Sequence, residues 1–203
     1  MARREGQVDR RERLLREALL LVAAGGLQAV THRAVERQAE VPHGSVTYHF
    51  GSRDDLVFAM VDRLAADCER EVAKIAQGVA MALARSPRGD GLDVNLVADG
   101  LTAWMDDDPP RHLARLELEL AAARDPRLRT RMTDAALVFW RLCEPIVLAL
   151  GSDDPELDGR AMAAMVDGLL LDRLAHEPTD PRVVRAALRR LLGAWAPAVS
   201  PTS

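Results

Sequence analysis

The sequence predicts an all-α fold of about nine helices, and three observations carry that prediction. Alanine, leucine and arginine dominate, and strand-forming residues cluster nowhere. Apolar residues recur at helical spacing along most of the chain. Glycine and proline fall at the intervals where helices of ordinary length would start and stop. With 48% hydrophobic and 29% charged residues, the 203-residue chain has the profile of a soluble globular protein with a real core, built as one large domain or two small ones.

Each element can be justified in turn. Residues 10–24 place Leu15, Ala18, Leu19 and Val22 on one face, and Gly25-Gly26 stops that helix. Thr31 can cap a short second helix, residues 32–39, with Val35 and Ala39 turned inward. After a turn at Glu40-Val41, a third short helix is expected to start near Pro42. Ser52-Arg53-Asp54-Asp55 is a capping box with Asp in place of the usual Glu, and it opens a long fourth helix. Leu56, Met60, Leu64, Cys68, Val72 and Ile75 line one face of that helix. Residues 86–91 read as a loop. A fifth helix spans about 94–105, and "DDDPP" stops it and caps a sixth at about 111–123. A seventh runs from 126 to about 150 with a kink at Pro145. The last two fall near 156–175 and 181–195.

Charge is unevenly distributed. Residues 1–53 hold nine arginines and six acids, a net +3, and the rest of the chain is net −7. A basic module followed by an acidic one suggests that only the first meets a polyanion. Arg3, Arg4, Arg10, Arg11 and Arg13 form either an arm for that polyanion or a solvated terminus.

The third helix is the informative one. At about 100° per residue, Val46 and Phe50 point into a small core, while Gly44, Ser45, Thr47 and the chain's single tyrosine, Tyr48, point to solvent. That face is poor as core and poor as a charged surface. It suits a helix pressed into a DNA groove, and two short helices joined by a tight turn make a helix-turn-helix.

Residues 25–56, "GGLQAVTHRAVERQAEVPHGSVTYHFGSRDDL", resemble the DNA-binding module of the TetR family of bacterial transcriptional regulators. The resemblance implies an N-terminal DNA-binding domain over 1–53 and a helical ligand-binding and dimerisation domain over 54–203. It implies that Thr31 and Arg33 meet the DNA backbone and that His43, Gly44, Ser45, Thr47, Tyr48 and His49 lie on the recognition segment. Arg53 would contact phosphate at the start of the fourth helix. Two residues depart from the family pattern. Glu40 replaces the usual turn glycine, where a left-handed conformation costs about 1 kcal/mol, and Glu36 replaces a small alanine between the second and third helices. Both add negative charge near the expected polyanion.

In the second domain, the resemblance implies an apolar effector cavity, for which Trp104, Met105, His112, Glu117, Met132, Phe139, Trp140, Cys143 and Met165 are the candidate residues; ordinary core packing is the alternative for each. It also implies a homodimer through the last two helices, whose apolar faces carry Ala161, Met165 and Leu169 on one and Val184, Leu188, Leu191 and Trp195 on the other. The expected partners are therefore a double-stranded operator, a small and substantially apolar effector, and a second copy of the chain. A ligand-released repressor fits this set. A partner-recruiting regulator without a ligand, and a helical enzyme or ligand carrier with an incidental helix-turn-helix, are the alternatives.

Several classes are not expected. No Ser-His-Asp, HExxH, P-loop or dinucleotide-binding pattern occurs, so neither an enzyme nor a cofactor is predicted. His32, His43 and His49 sit on different elements without a spaced cysteine or carboxylate, which argues against a metal site. No apolar run approaches the ~20 residues of a membrane span and no signal-peptide pattern is present, so a cytoplasmic protein with reduced Cys68 and Cys143 is expected.

Overall fold

A computed structural model describes residues 2–84, 94–176 and 180–195. Among them are nine α-helices and no strand: α1 (Ala2–Gly25), α2 (His32–Gln38), α3 (Ser45–Phe50), α4 (Arg53–Ala84), α5 (Val94–Asp106), α6 (Pro109–Ala122), α7 (Pro126–Ala149), α8 (Pro155–Ala175) and α9 (Pro181–Gly193), with a 3-10 turn at Leu27–Ala29. The loop expected at 86–91 lies outside the described residues, as do the side chains of Arg3, Arg4 and Val72. None of the described helices is long and apolar enough to cross a membrane.

The chain divides into two compact units. The first comprises the residues up to Ala66 and Asp108–Ala135, and the second Asp67–Asp107 and the residues from Ala136 onward. The sequence division at 53/54 falls in the first turn of α4, which contributes residues to both units.

In the first unit, α1 buries Leu14, Leu15, Ala18, Leu19 and Val22 and packs against α2 and α6. Val35, Val46, Phe50, Leu56, Met60 and Leu118 complete that core. Full burial of one such side chain stabilises by about 1.5–3 kcal/mol. α1 starts well before residue 10, because its first turns are rich in arginine and glutamate, strong helix formers that carry no apolar face to read. It ends where Gly26 adopts φ 69° and donates its N–H to the Val22 carbonyl at 2.8 Å.

The third helix begins at Ser45, not near Pro42. Gly44 sits at φ 87°, a left-handed conformation that interrupts any helix starting before it. Pro42 instead opens a turn in which Ser45 donates both N–H (3.2 Å) and Oγ–H (2.6 Å) to the Pro42 carbonyl.

Four of the later helices start with an Asp-Pro pair. The carboxylates of Asp108, Asp125, Asp154 and Asp180 accept backbone N–H groups of Arg111, Arg127, Leu157 and Arg182, and the following proline occupies the first turn, where no N–H partner is needed. α7 continues through Pro145 to Ala149. Gly159 lets α8 lie close to α7, since a Cβ there would stand 3.2 Å from the Glu144 nitrogen and 3.3 Å from the Trp140 carbonyl oxygen.

The second core corrects one expectation. Val184 and Leu188, read as part of a dimer seam, are buried inside their own chain together with Leu192, among Val97, Leu101 and Met105 of α5. Of the α9 face read as Val184, Leu188, Leu191 and Trp195, the first two are core and the last two are half-buried against it, while Leu192 completes the buried i, i+4, i+8 stripe.

Candidate nucleic-acid interface

The interface is assembled by caps and turns. Thr31 Oγ1 accepts the Ala34 N–H at 3.1 Å and starts α2, whose inner face buries Ala34, Val35 and Glu36. Glu40 follows at φ 51°, so this non-glycine residue does adopt the left-handed conformation that the turn demands. α3 then buries Val46 and Phe50. Gly51 reverses the chain at φ 77°. At the start of α4 the capping box is reciprocal: the Ser52 N–H and Oγ–H donate to Asp55 Oδ2 at 3.2 and 2.5 Å, and the Asp55 N–H donates to Ser52 Oγ at 3.1 Å. These bonds from Ser52 hold the Asp55 carboxyl below the usual carboxylate range.

This framework leaves Thr31, Arg33, His43, Thr47 and Tyr48 exposed, the last with 72% of its surface accessible. Thr47 Oγ1 lies 3.2 Å from His32 Nδ1, so its hydroxyl is oriented from α2. Ser45 is half-buried, with its hydroxyl committed to Pro42. Gly44 is the N-cap of α3 and supplies the left-handed residue from which that helix starts. His49 is half-buried, and its ring stands against Tyr48 with centroids 5.1 Å apart. Burial, then the charges of Arg10 and Arg11, push its imidazole below the ordinary histidine range. Arg11 stacks 5.1 Å above the Phe50 ring, which gives one residue of the arginine-rich start a packing role.

Arg53 stands at the start of α4, as its sequence position suggests, and makes hydrogen bonds that the sequence did not reveal. Its Nε donates to the Val30 carbonyl at 2.8 Å and its Nη2 to the Leu27 carbonyl at 2.7 Å. The guanidinium thus braces the 3-10 turn that leads into α2. Glu36 was read as a liability, and its structural use was missed altogether. It is only 5% exposed. Oε1 accepts the Val46 N–H at 3.1 Å and Oε2 lies 3.0 Å from His43 Nδ1. Burial alone would raise its pKa, but hydrogen bonds from Val46, His43 and Gly44 prevail and hold the carboxyl below its ordinary value. The only sequence signal for this role was an acid on the inward face of α2.

In the second unit, Trp104, Phe139 and Cys143 line a cavity of about 20 Å³ with Ile75, Leu101, Ile146, Met162, Ala163 and Val166. The Trp104 indole donates to Glu71 Oε2 at 2.8 Å. Burial, aided by Cys68 and nearby acids, pushes the Cys143 thiol up to about 12, so it is an inert part of the wall. The other candidate pocket residues lie elsewhere. Met105 is packed in the core of the same unit, Trp140 carries the Arg160 guanidinium 4.5 Å above its ring, and Met165 is half exposed. His112, Glu117 and Met132 belong to the first unit.

Residues 14–60 match the family model described as bacterial regulatory proteins, tetR family, and residues 88–194 match that of the Tetracyclin repressor-like C-terminal domain. The chain is 26% identical over 179 residues to the HTH-type transcriptional regulator BetI of Stenotrophomonas maltophilia (strain R551-3), a match covering 80% of each. A solved TetR family member from Streptomyces coelicolor A3 is 31% identical with a TM-score of 0.66, covering 90% of this chain and 97% of that one. The multidrug binding protein EbrR, solved in complex with ethidium, is 32% identical with a TM-score of 0.63, again covering 90% and 97%. With both of its sequence regions matched and the helix-turn-helix in place, this chain belongs to the TetR family of bacterial transcriptional regulators.

Proposed function

We propose that the chain is a repressor that binds an inverted-repeat operator as a homodimer and leaves it when a small, largely apolar molecule enters the second unit. The observation that carries this reading is the outward face of the helix-turn-helix. Arg33, His43, Thr47 and Tyr48 are exposed together on elements locked by Thr31, Glu36, the Ser52–Asp55 box and Arg53. Preorganised polar side chains on a short helix are what base and phosphate recognition require, because ordering them at binding would cost affinity.

Dimerisation stays with the α8 face of Ala161 and Met165 but leaves Val184 and Leu188 of α9, which are buried within the chain. On α8, Leu157, Ala164, Met165, Gly168 and Leu171 are exposed and follow helical spacing, and Ala161 between them is half-buried. On α9, Val183 is exposed as well. This apolar stripe with small residues suits close helix approach across a twofold axis. Two reading heads then span successive turns of DNA.

The effector reading rests on the aromatic-lined cavity. Drug-sized ligands need about 300–1,000 Å³, far more than the 20 Å³ now open. Binding must therefore displace side chains such as Trp104 and Phe139, and the cost of doing so biases the conformation. EbrR, whose structure holds ethidium, supports a pocket of this chemical kind. α4 supplies Ile75 to the cavity wall and Arg53 to the brace below α2, so its displacement would disturb the reading head. The test is calorimetric titration of a ligand found by thermal-shift screening into free and operator-bound protein. Gating requires weaker binding to the complex, because the coupling is reciprocal. Equal affinities in the two titrations would reject it.

A further inference from the structure

We propose that Glu36 is a positioning residue for DNA reading, whose buried carboxylate seats α3 and fixes the His43 ring so that Nε2 is the atom offered to a base edge. The inference rests on the reading of α3 as the DNA-facing helix and adds the hydrogen-bonding sense of one contact.

The chemistry follows from donor and acceptor accounting. An ionised carboxylate only accepts hydrogen bonds. Glu36 Oε1 takes the Val46 N–H at 3.1 Å, and Oε2 faces His43 Nδ1 at 3.0 Å. Nδ1 must therefore carry the hydrogen. In a neutral imidazole the other nitrogen then holds a lone pair, so the second hydrogen bond dictates what the ring presents. The His43 side chain is 79% exposed while its partner's is 6% exposed, so the tethered nitrogen points inward and the free edge is open to solvent. An acceptor at the start of α3 pairs with a major-groove amino donor, N4 of cytosine or N6 of adenine. Because the ring is already held, its orientation is not an ordering cost at binding.

Glu36→Gln separates positioning from mere support. The amide oxygen can keep the Val46 bond, but its NH2 then donates to Nδ1. The His43 tautomer inverts, and Nε2–H becomes a donor suited to guanine N7 or O6. The experiment is selection of duplexes from a random pool at pH 8 with wild-type, Glu36→Gln and His43→Ala proteins. The expected result is one position per half-site that prefers cytosine or adenine in the wild type and guanine in Glu36→Gln. In His43→Ala that position should become indifferent, with affinity down on the order of tenfold. His43→Ala alters an exposed side chain and so keeps the test valid should Glu36→Gln fail to fold. Identical consensus sequences for wild type and a folded Glu36→Gln, or an unrelaxed consensus in His43→Ala, would overturn this inference alone. A wild-type protein that enriches no sequence would overturn the DNA reading on which it rests.

Discussion

Replacing Arg53 with alanine distinguishes bracing from phosphate contact. In the structure its guanidinium makes two short hydrogen bonds, 2.8 Å to the Val30 carbonyl and 2.7 Å to the Leu27 carbonyl. Hydrogen bonds from a charged donor contribute about 1.5–3 kcal/mol each, and removal leaves both carbonyls without that partner. The site is only half-buried, and water can replace part of the loss, so the net cost is about 2–4 kcal/mol. For a chain of this length that lowers the melting temperature by roughly 5–15 °C. Arg53→Lys should recover only part of this, since an ammonium on a flexible stem lacks the fork that serves two carbonyls at once. Differential scanning calorimetry measures the stability term, and operator titrations over a range of salt measure the phosphate term. An unchanged melting temperature with a salt slope reduced by about one unit would show that Arg53 acts as a phosphate contact and that the bracing argument is wrong.

Other expectations follow from the same geometry. Leu188→Ala should destabilise the second unit by about 2–5 kcal/mol, because the residue is 0% exposed in its own chain, whereas Met165→Glu should leave urea melts of the monomer little changed and abolish the dimer in sedimentation. Glu40→Gly relieves a non-glycine residue at φ 51° and should raise stability by at most about 1 kcal/mol, visible as a higher melting temperature; a lower one would expose a contact made by Glu40. Since the folded-state His49 pKa lies below the ordinary value of 6.5, the unfolded chain takes up the proton first. The contribution of neutral His49 is therefore fully present above about pH 7 and declines as pH falls through the range below 6.5. His49→Gln should flatten that part of the stability–pH curve. Tyr48→Ala should weaken operator binding by about 1–3 kcal/mol with no change in melting temperature, measured by fluorescence anisotropy beside a thermal scan.

What could be read from the sequence, and what could not, divides along physical lines. Local rules were legible. The α1 core face of Leu15, Ala18, Leu19 and Val22, the Thr31 cap and the Ser52–Asp55 box depend on residues within a few positions of each other, and they appear as spacing. The left-handed turn at residue 40 was legible too, because its geometry is imposed by the motif and not by the side chain. Gly44 was ambiguous, since glycine serves a helical and a left-handed conformation almost equally well. Which partner a face meets was not legible. The stripe of Val184, Leu188 and Leu192 is equally periodic whether it faces α5 or a second chain. The family resemblance implied a lined cavity, but composition cannot separate Trp104 and Phe139, which line one, from Met105, which fills core. The structural uses of Glu36 and Arg53 were missed for one reason. Charged residues near a polyanion invite an electrostatic reading, yet Glu36 accepts the Val46 N–H and holds the His43 ring, and Arg53 donates to two backbone carbonyls.

The central claim is that the outward face of α3 reads sequence, and competition binding tests it most directly. A labelled duplex selected by the wild-type protein is displaced by unlabelled copies of itself and by scrambled duplexes of equal length and composition, at a fixed salt concentration near physiological. The account predicts an inverted repeat with half-sites about one helical turn apart or somewhat more, and a preference over scrambled DNA on the order of a thousandfold or greater. Equal displacement by selected and scrambled duplexes would contradict it, because binding would then come from phosphate charge alone.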